Sequence, residues 1–232
     1  MPLRIYSCDQ RSLGWFSVRS ATPVTASAIG TILRNPNTKT YKDLVYEKAY
    51  QGSKSPNNVP ALDHGITCEH FALERLRKRY KIYDIGFVTN SKYPLIGVSP
   101  DGVIRDYKGK PALLEIKCPY SREITGEIPK DYYHQMQLQM LICEIPRCLY
   151  AEYQFDPKTY EYRDSQLQLV ELDKNWWPKH KEKIQEFIED IQHLQTSEGE
   201  SLITMLETGV DTSRTRSPSL KKRKVKCLLD DL

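Results

Sequence analysis

Between residues 86 and 117 the chain carries four short runs of strand character with little but turns between them, and helical periodicity stands on both sides. The runs are Gly86-Phe87-Val88-Thr89, Leu95-Ile96-Gly97-Val98-Ser99, Gly102-Val103-Ile104 and Ala112-Leu113-Leu114-Glu115-Ile116-Lys117. Turn sequences separate them, among them Ser99-Pro100-Asp101-Gly102 and Asp106-Tyr107-Lys108-Gly109-Lys110. Links this short join antiparallel neighbours, because a parallel crossover needs a dozen or more residues. The expectation is an antiparallel meander.

The flanking segments supply helices. Over residues 64–81, Ile66, Leu73, Leu76 and Tyr80 share one stripe at helical spacing, with Arg75, Lys78 and Arg79 opposite. Glu69 falls inside that apolar stripe, where a carboxylate is costly unless paired or metal-bound. Residues 132–143 are apolar on most sides yet include Gln135, Gln137 and Gln139, which implies a buried helix whose amides need partners. Two further strands are expected at 148–155 and 167–172, then a helix from Pro178 with Ile184, Phe187, Ile188, Ile191 and Leu194 at helical spacing. Nearer the start, residues 25–33 suggest a short helix capped by Thr25 or Ser27, and residues 41–50 a second helix among turns. Strands enclosed by helices give an α/β fold, a mixed central sheet flanked by helices. Residues 1–195 are read as one domain and 196–232 as a flexible tail.

Composition excludes several classes. Hydrophobic residues make up 39% of the 232, and 15 Tyr and 3 Trp favour a packed core over disorder. No run reaches the ~20 apolar residues of a spanning helix, and no signal-peptide core opens the chain, so the expected location is intracellular and without membrane partners. Six cysteines without a CxxC pair read as free thiols, and no metal-protease histidine spacing occurs, so His64, His70 and His134 read as local hydrogen-bonders. Net charge is +4, but residues from Thr196 onward carry seven basic against six acidic side chains, leaving 27 against 24 before them. A surface for a polyanion must therefore be a local groove.

Alternation along an extended strand puts Glu115 and Lys117 on one face, roughly 6.6 Å apart, with Leu114 and Ile116 on the other. A single hairpin return brings Asp101 beside that strand and a second carboxylate to Glu115. Two carboxylates plus water and a phosphate oxygen suit Mg²⁺, which keeps several waters and seldom fills an all-protein cage. Such an ion polarises a phosphate, while Lys117 orients a nucleophile or offsets developing charge. Each piece has a plainer reading. Asp-Gly is a common hairpin turn, and alternating charges are ordinary on a half-exposed strand.

The ordered set, Ser99-Pro100-Asp101-Gly102, Glu115-Ile116-Lys117-Cys118-Pro119 and Tyr132-Tyr133-His134-Gln135-Met136-Gln137, resembles the PD-(D/E)xK nucleases. Within them it is similar to the lambda-exonuclease-like group, the YqaJ-type viral recombinases. Gly65-Ile66-Thr67-Cys68-Glu69 and Val24-Thr25-Ala26-Ser27 add to a likeness spanning residues 15–192. The resemblance implies a restriction-endonuclease-like core in which Asp101, Glu115 and the Ile116 carbonyl hold a metal, Glu69 helps from its helix, and Lys117 serves the attacking water. It implies Gln137 as the active-site amide, with Gln135 the second choice, and Ser27 with Arg19 as the grip on a terminal 5′ phosphate. Other roles stay open: Glu69 as the partner of an internal Arg or Lys, the glutamines as partners of nearby backbone, Ser27 as a helix cap.

The expected activity is a Mg²⁺-dependent 5′ to 3′ exonuclease on double-stranded DNA in recombination or repair, with Mn²⁺ as a substitute ion. A structure-specific endonuclease and a noncatalytic DNA-binding protein are the alternatives. A single-strand annealing protein and a homotrimer are the expected assembly partners. Lys221, Lys222, Arg223 and Lys224 resemble a nuclear-import signal, which points to a viral protein in a eukaryotic host; a tether to DNA is the other reading.

Overall fold

The segment ending in Glu115, Ile116 and Lys117 is the middle strand of a five-stranded sheet in the computed structural model, which describes residues 3–50 and 60–196. In chain order the first elements are β1 (Leu3–Tyr6), α1 (Leu13–Ser20), β2 (Val24–Thr25), a 3-10 turn (Ala26–Ala28), α2 (Ile29–Ile32), α3 (Lys39–Tyr50) and α4 (Pro60–Arg77). Then come β3 (Ile82–Tyr83), β4 (Phe87–Asn90), β5 (Tyr93–Val98), β6 (Gly102–Tyr107) and β7 (Lys110–Lys117). The chain continues through α5 (Lys130–Cys143), β8 (Arg147–Phe155), β9 (Tyr162–Glu171) and α6 (Trp176–Leu194).

The larger sheet has the order β3-β6-β7-β8-β9 and the smaller β1-β4-β5-β2. Both are mixed, because β7 runs parallel to β8 and β2 parallel to β5. The parallel β7–β8 pair requires a crossover, and α5 is its helix. The α/β class with mixed sheets flanked by helices is the fold found. The continuous meander is not. The β4–β5 hairpin belongs to one sheet and the β6–β7 hairpin to the other, and the chain changes sheet at Ser99-Pro100-Asp101. Pro100 has no amide hydrogen to extend a ladder. Ser99 turns its hydroxyl to the Gly86 carbonyl at 3.1 Å. The β6–β7 turn is the two-residue kind, Lys108 (φ 52) and Gly109 (φ 80) both left-handed, as a type I′ turn requires.

Alternation along β7 divides its side chains between two cores. Leu114 and Ile116 pack with Cys68, Ala72 and Leu76 of α4. Leu113 faces the other way, into a core with Met136 and Met140 of α5 and Ile184, Phe187, Ile188 and Ile191 of α6. Burying each such Leu or Ile stabilises the fold by about 1.5–3 kcal/mol.

Three local expectations are corrected. The buried row of α4 is His64, Cys68, Ala72 and Leu76, while Ile66 is exposed, so the inward stripe is rotated from the one the large apolar residues indicated. Small Cys68 and Ala72 let the helix approach the sheet, and His64 is sheltered by contact with Cys68 at 3.4 Å. The short helix expected at 25–33 is a 3-10 turn followed by α2, and no side chain caps either. β9 begins at Tyr162, ahead of the expected strand.

Cys8, Cys68, Cys118, Cys143 and Cys148 are free thiols. Among the described residues no helix is long and apolar enough to cross a membrane. Residues 197–232, with the basic run from Lys221 to Lys224, lie outside the described residues.

Candidate active site

Glu115 is a fully enclosed carboxylate, 1% exposed, and three side-chain donors bond to it. Gln135 donates to its Oε1 at 2.6 Å, Gln139 to its Oε2 at 2.8 Å, and the Lys117 ammonium pairs with Oε1. Helical geometry explains the two glutamines. Residues i and i+4 share a face, so Gln135 and Gln139 both look from α5 onto β7. Gln137 sits on the far side of the same helix. It donates to the Glu171 carbonyl at 2.9 Å and accepts from the Asp173 amide at 2.8 Å. The residue favoured as the active-site amide therefore braces the link from β9 to α6, and Gln139, which was not singled out, occupies the place beside Glu115.

Asp101 stands at the corner where the chain enters β6. Its amide donates to the Leu114 carbonyl at 3.0 Å, and its Oδ2 accepts from the Ile116 amide at 2.7 Å. The hairpin return expected from the sequence is what brings it there. Burial raises the proton affinity of Asp101 well above that of an ordinary carboxylate, and the negative charges of Glu115 and Glu69 add to the rise. Lys117 and the Ile116 amide oppose it without cancelling it.

Lys117 lies in the same negative field. Burial works against its charge, yet Glu115 and Asp101 outweigh burial and raise its pKa. Its ammonium also lies over the Tyr132 ring, 5.1 Å from the centroid. It is held as a cation.

Glu69 reaches the site from α4 and pairs with Arg11 at 2.5 Å, the alternative left open for it. Arg19 and Ser27 meet directly, Arg19 donating to the Ser27 hydroxyl at 2.5 Å, so Ser27 is no helix cap. Arg19 rests on the Trp15 ring at 4.8 Å, and Trp15 donates to the Ser99 hydroxyl at 3.0 Å. Burial lowers the pKa of Arg19, partly offset by Glu47. Lys48 of α3, unremarked in the sequence, shares this field: burial and then Arg19 bring its pKa down to about 8, against a pull from Glu47.

One cavity of about 170 Å³ is lined by Arg19, Ser27, Glu69, Asp101, Glu115, Ile116, Lys117 and Gln135, together with Arg11 and Gln139. Of the residues singled out from the sequence, Gln137 alone stands outside it. Among the described residues no three His, Cys, Asp or Glu side chains are assembled to hold a metal unaided. The donors are carboxylate oxygens, those of Asp101, Glu115 and Glu69, which line one cavity. A hard divalent cation that keeps some of its waters fits such a set, and Mg²⁺ is of that kind.

Arg11, Trp15, Lys48 and Gln139 were missed. The i, i+4 repeat of Gln135 and Gln139 was a signal in plain view. The other three come from segments whose place depends on distant packing.

Comparison with family models matches residues 14–146 to the YqaJ-like viral recombinase domain. No curated protein matches the chain. Among solved structures, the alkaline exonuclease LHK-Exo of Laribacter hongkongensis is similar with a TM-score of 0.64 and 22% identity, over 85% of this chain and 99% of that one. The complex of LHK-Exo with dAMP gives the same values. A phage related exonuclease of Haemophilus somnus 129PT has a TM-score of 0.51 and 16% identity, over 79% of this chain and 96% of that one. At these identities the likeness is one of fold. The family match covers more than half of the sequence, and the chain belongs to the YqaJ-like viral recombinase domain family.

Proposed function

We propose that this protein is a Mg²⁺-dependent deoxyribonuclease that hydrolyses double-stranded DNA from its 5′ ends, in the 5′ to 3′ direction, during recombination or repair. The observation that carries the reading is the convergence of Asp101, Glu115, Lys117 and Glu69 in one cavity, with the Arg19–Ser27 pair on the same wall. Family membership and the exonuclease names of the two similar structures support it.

Asp101 and Glu115, with Glu69 and Ile116 beside them, would hold the ion. A divalent cation there supplies Lewis-acid polarisation of the scissile phosphate and favours hydroxide at neutral pH. Gln135 and Gln139 fix the orientation of the Glu115 carboxylate before substrate arrives, so little reorganisation remains for the reaction. Lys117, kept charged by its carboxylate neighbours, orients the attacking water and offsets negative charge growing on the phosphate. Arg19 and Ser27 bind a terminal 5′ phosphate, the guanidinium supplying a charged fork and the hydroxyl a further donor. Mn²⁺, also a taker of oxygen ligands, would substitute.

The test is cleavage of linear, nicked and closed circular duplex in Mg²⁺, with and without a 5′ phosphate. Nucleotide release from 5′ ends, dependence on a free end, and loss of activity in Asp101→Ala and Lys117→Ala are expected. Cutting of closed circles overturns the exonuclease reading in favour of an endonuclease, and undiminished activity in both variants overturns the site. The proposed homotrimer, annealing-protein partner and nuclear import through Lys221, Lys222, Arg223 and Lys224 are checked by sedimentation, co-purification and localisation of a variant lacking the four basic residues.

A further inference from the structure

Arg11 is placed where only an unusual backbone can put it. Its φ is +67°, a left-handed conformation that costs any residue but glycine, because Cβ crowds the carbonyl oxygen. Both neighbours pin the backbone there. Gln10 donates from its side-chain amide to the Pro100 carbonyl at 2.9 Å, next to Asp101. Ser12 caps α1 by accepting from the Trp15 amide at 3.3 Å, and its own amide donates to Asp9 at 3.1 Å. Gly86 makes room for this segment, since a Cβ at that position would lie 2.0 Å from the Tyr6 carbonyl oxygen.

The side chain of Arg11 behaves differently from its backbone. It is 41% exposed, and among the described residues its ion-pair partner is Glu69, Oε2 at 2.5 Å. Arg11 lines the cavity of Asp101 and Glu115. It also lines a second cavity of about 430 Å³ along the N-terminal segment and a third of about 200 Å³ between α4 and Lys117. A half-exposed pair of this kind is weak and is readily exchanged for a better partner. Its carboxylate is one of the proposed metal ligands, and its guanidinium is a planar fork matched to phosphate oxygens.

We propose that Arg11 is a phosphate-binding residue of the DNA site, stored on Glu69 in the free protein and handed to the DNA backbone when a divalent cation takes Glu69. This rests on the nuclease reading of the same site and adds the residue that couples ion binding to substrate binding. In the free protein Arg11 offsets the charge of Glu69, and so lowers the attraction of the site for a cation. In the complex it supplies one phosphate contact.

These two roles predict opposite effects of one substitution. Arg11→Gly suits the left-handed backbone, so it should melt no lower than the parent. It should bind Ca²⁺, a non-cleaving probe, a few-fold more tightly by calorimetry. It should bind a 5′-phosphorylated duplex in Ca²⁺ about tenfold more weakly, the scale of one charge-assisted hydrogen bond. The slope of log affinity against log salt should become shallower by about one. Arg11→Lys keeps a charge and should retain the slope while losing part of the affinity.

Unchanged DNA affinity and salt slope in Arg11→Gly overturn the proposal, and so does weaker binding of Ca²⁺. Parental protein that neither binds Ca²⁺ nor cleaves DNA in Mg²⁺ overturns the nuclease reading instead. Cleavage by the parent with no change in the variant overturns Arg11 alone.

Discussion

Gln139 donates to Glu115 Oε2 at 2.8 Å across the β7–α5 interface, and both side chains are shut off from solvent. A buried carboxylate is costly unless its oxygens are satisfied, so this bond meets a need of the fold and fixes the direction in which Glu115 points. Gln139→Leu should therefore lower kcat about ten- to a hundredfold, the range for a hydrogen bond to a charged group. Gln137→Leu should leave kcat alone and destabilise the protein by about 1–3 kcal/mol, because it strips partners from the Glu171 carbonyl and the Asp173 amide. Steady-state kinetics and thermal melts on the two variants separate the roles, and a kcat loss confined to Gln137→Leu would reverse them.

Asp101 gives a stability prediction for the metal-free protein. Its native pKa lies above the unfolded value because of burial and the charges of Glu115 and Glu69. The native state thus holds a proton that the unfolded state has released, and stability falls as pH rises from the unfolded carboxylate value through the raised one. Asp101→Asn removes the charge while keeping an oxygen for the Ile116 amide. At pH 7 in chelator the variant should melt higher than the parent, and the difference should vanish at a pH below both values. Saturating Mg²⁺ should stabilise the parent and leave the variant nearly unmoved. Equal melting at pH 7 in chelator would show that the carboxylate is not strained.

Lys48 titrates in the opposite sense. With its pKa brought down to about 8 by burial and Arg19, the buried ammonium destabilises the native state below that pH. Between about 8 and the ordinary lysine value the unfolded chain holds the extra proton, so stability recovers as pH rises. Lys48→Met should melt above the parent at pH 7, and the gap should narrow between pH 8 and 10. Melting curves across that range suffice, and a gap independent of pH would rule out the charge as its cause.

Beside Lys117 on the next strand, Glu152 is fully buried and accepts from Gln166 at 2.5 Å, with Arg122 paired to its other oxygen. The pair is lopsided, since the Arg122 side chain is 36% exposed. Removing Arg122 leaves a buried charge with only neutral neighbours, Gln166 and Tyr150, whereas removing the carboxylate leaves a cation that can turn to water. Arg122→Ala should cost about 3 kcal/mol, and Glu152→Gln clearly less. Urea unfolding of both variants tests the ordering, which fails if Glu152→Gln is the more damaging.

The sequence by itself determined the strand ending in Glu115 and Lys117, the hairpin return of Asp101, the α/β class and the burial of the glutamine helix. Each follows from a local rule: a period of two along a strand, turn chemistry at Lys108-Gly109, and apolar residues on most sides of residues 132–143. Tertiary structure decided the rest. Whether β4–β5 and β6–β7 share a sheet depends on where Ser99 and Pro100 send the chain, and a meander pattern looks the same either way. Which side of α5 meets β7 depends on the crossover to β8, and that choice gave the site Gln135 and Gln139 and sent Gln137 to the far wall. The inward face of α4 was set by how closely Cys68 and Ala72 let it approach the sheet, which large-residue periodicity does not encode. Arg11 meets Glu69, 58 positions further along the chain, and Lys48 lies in the field of Arg19, 29 positions before it, and only packing across such separations brings them together.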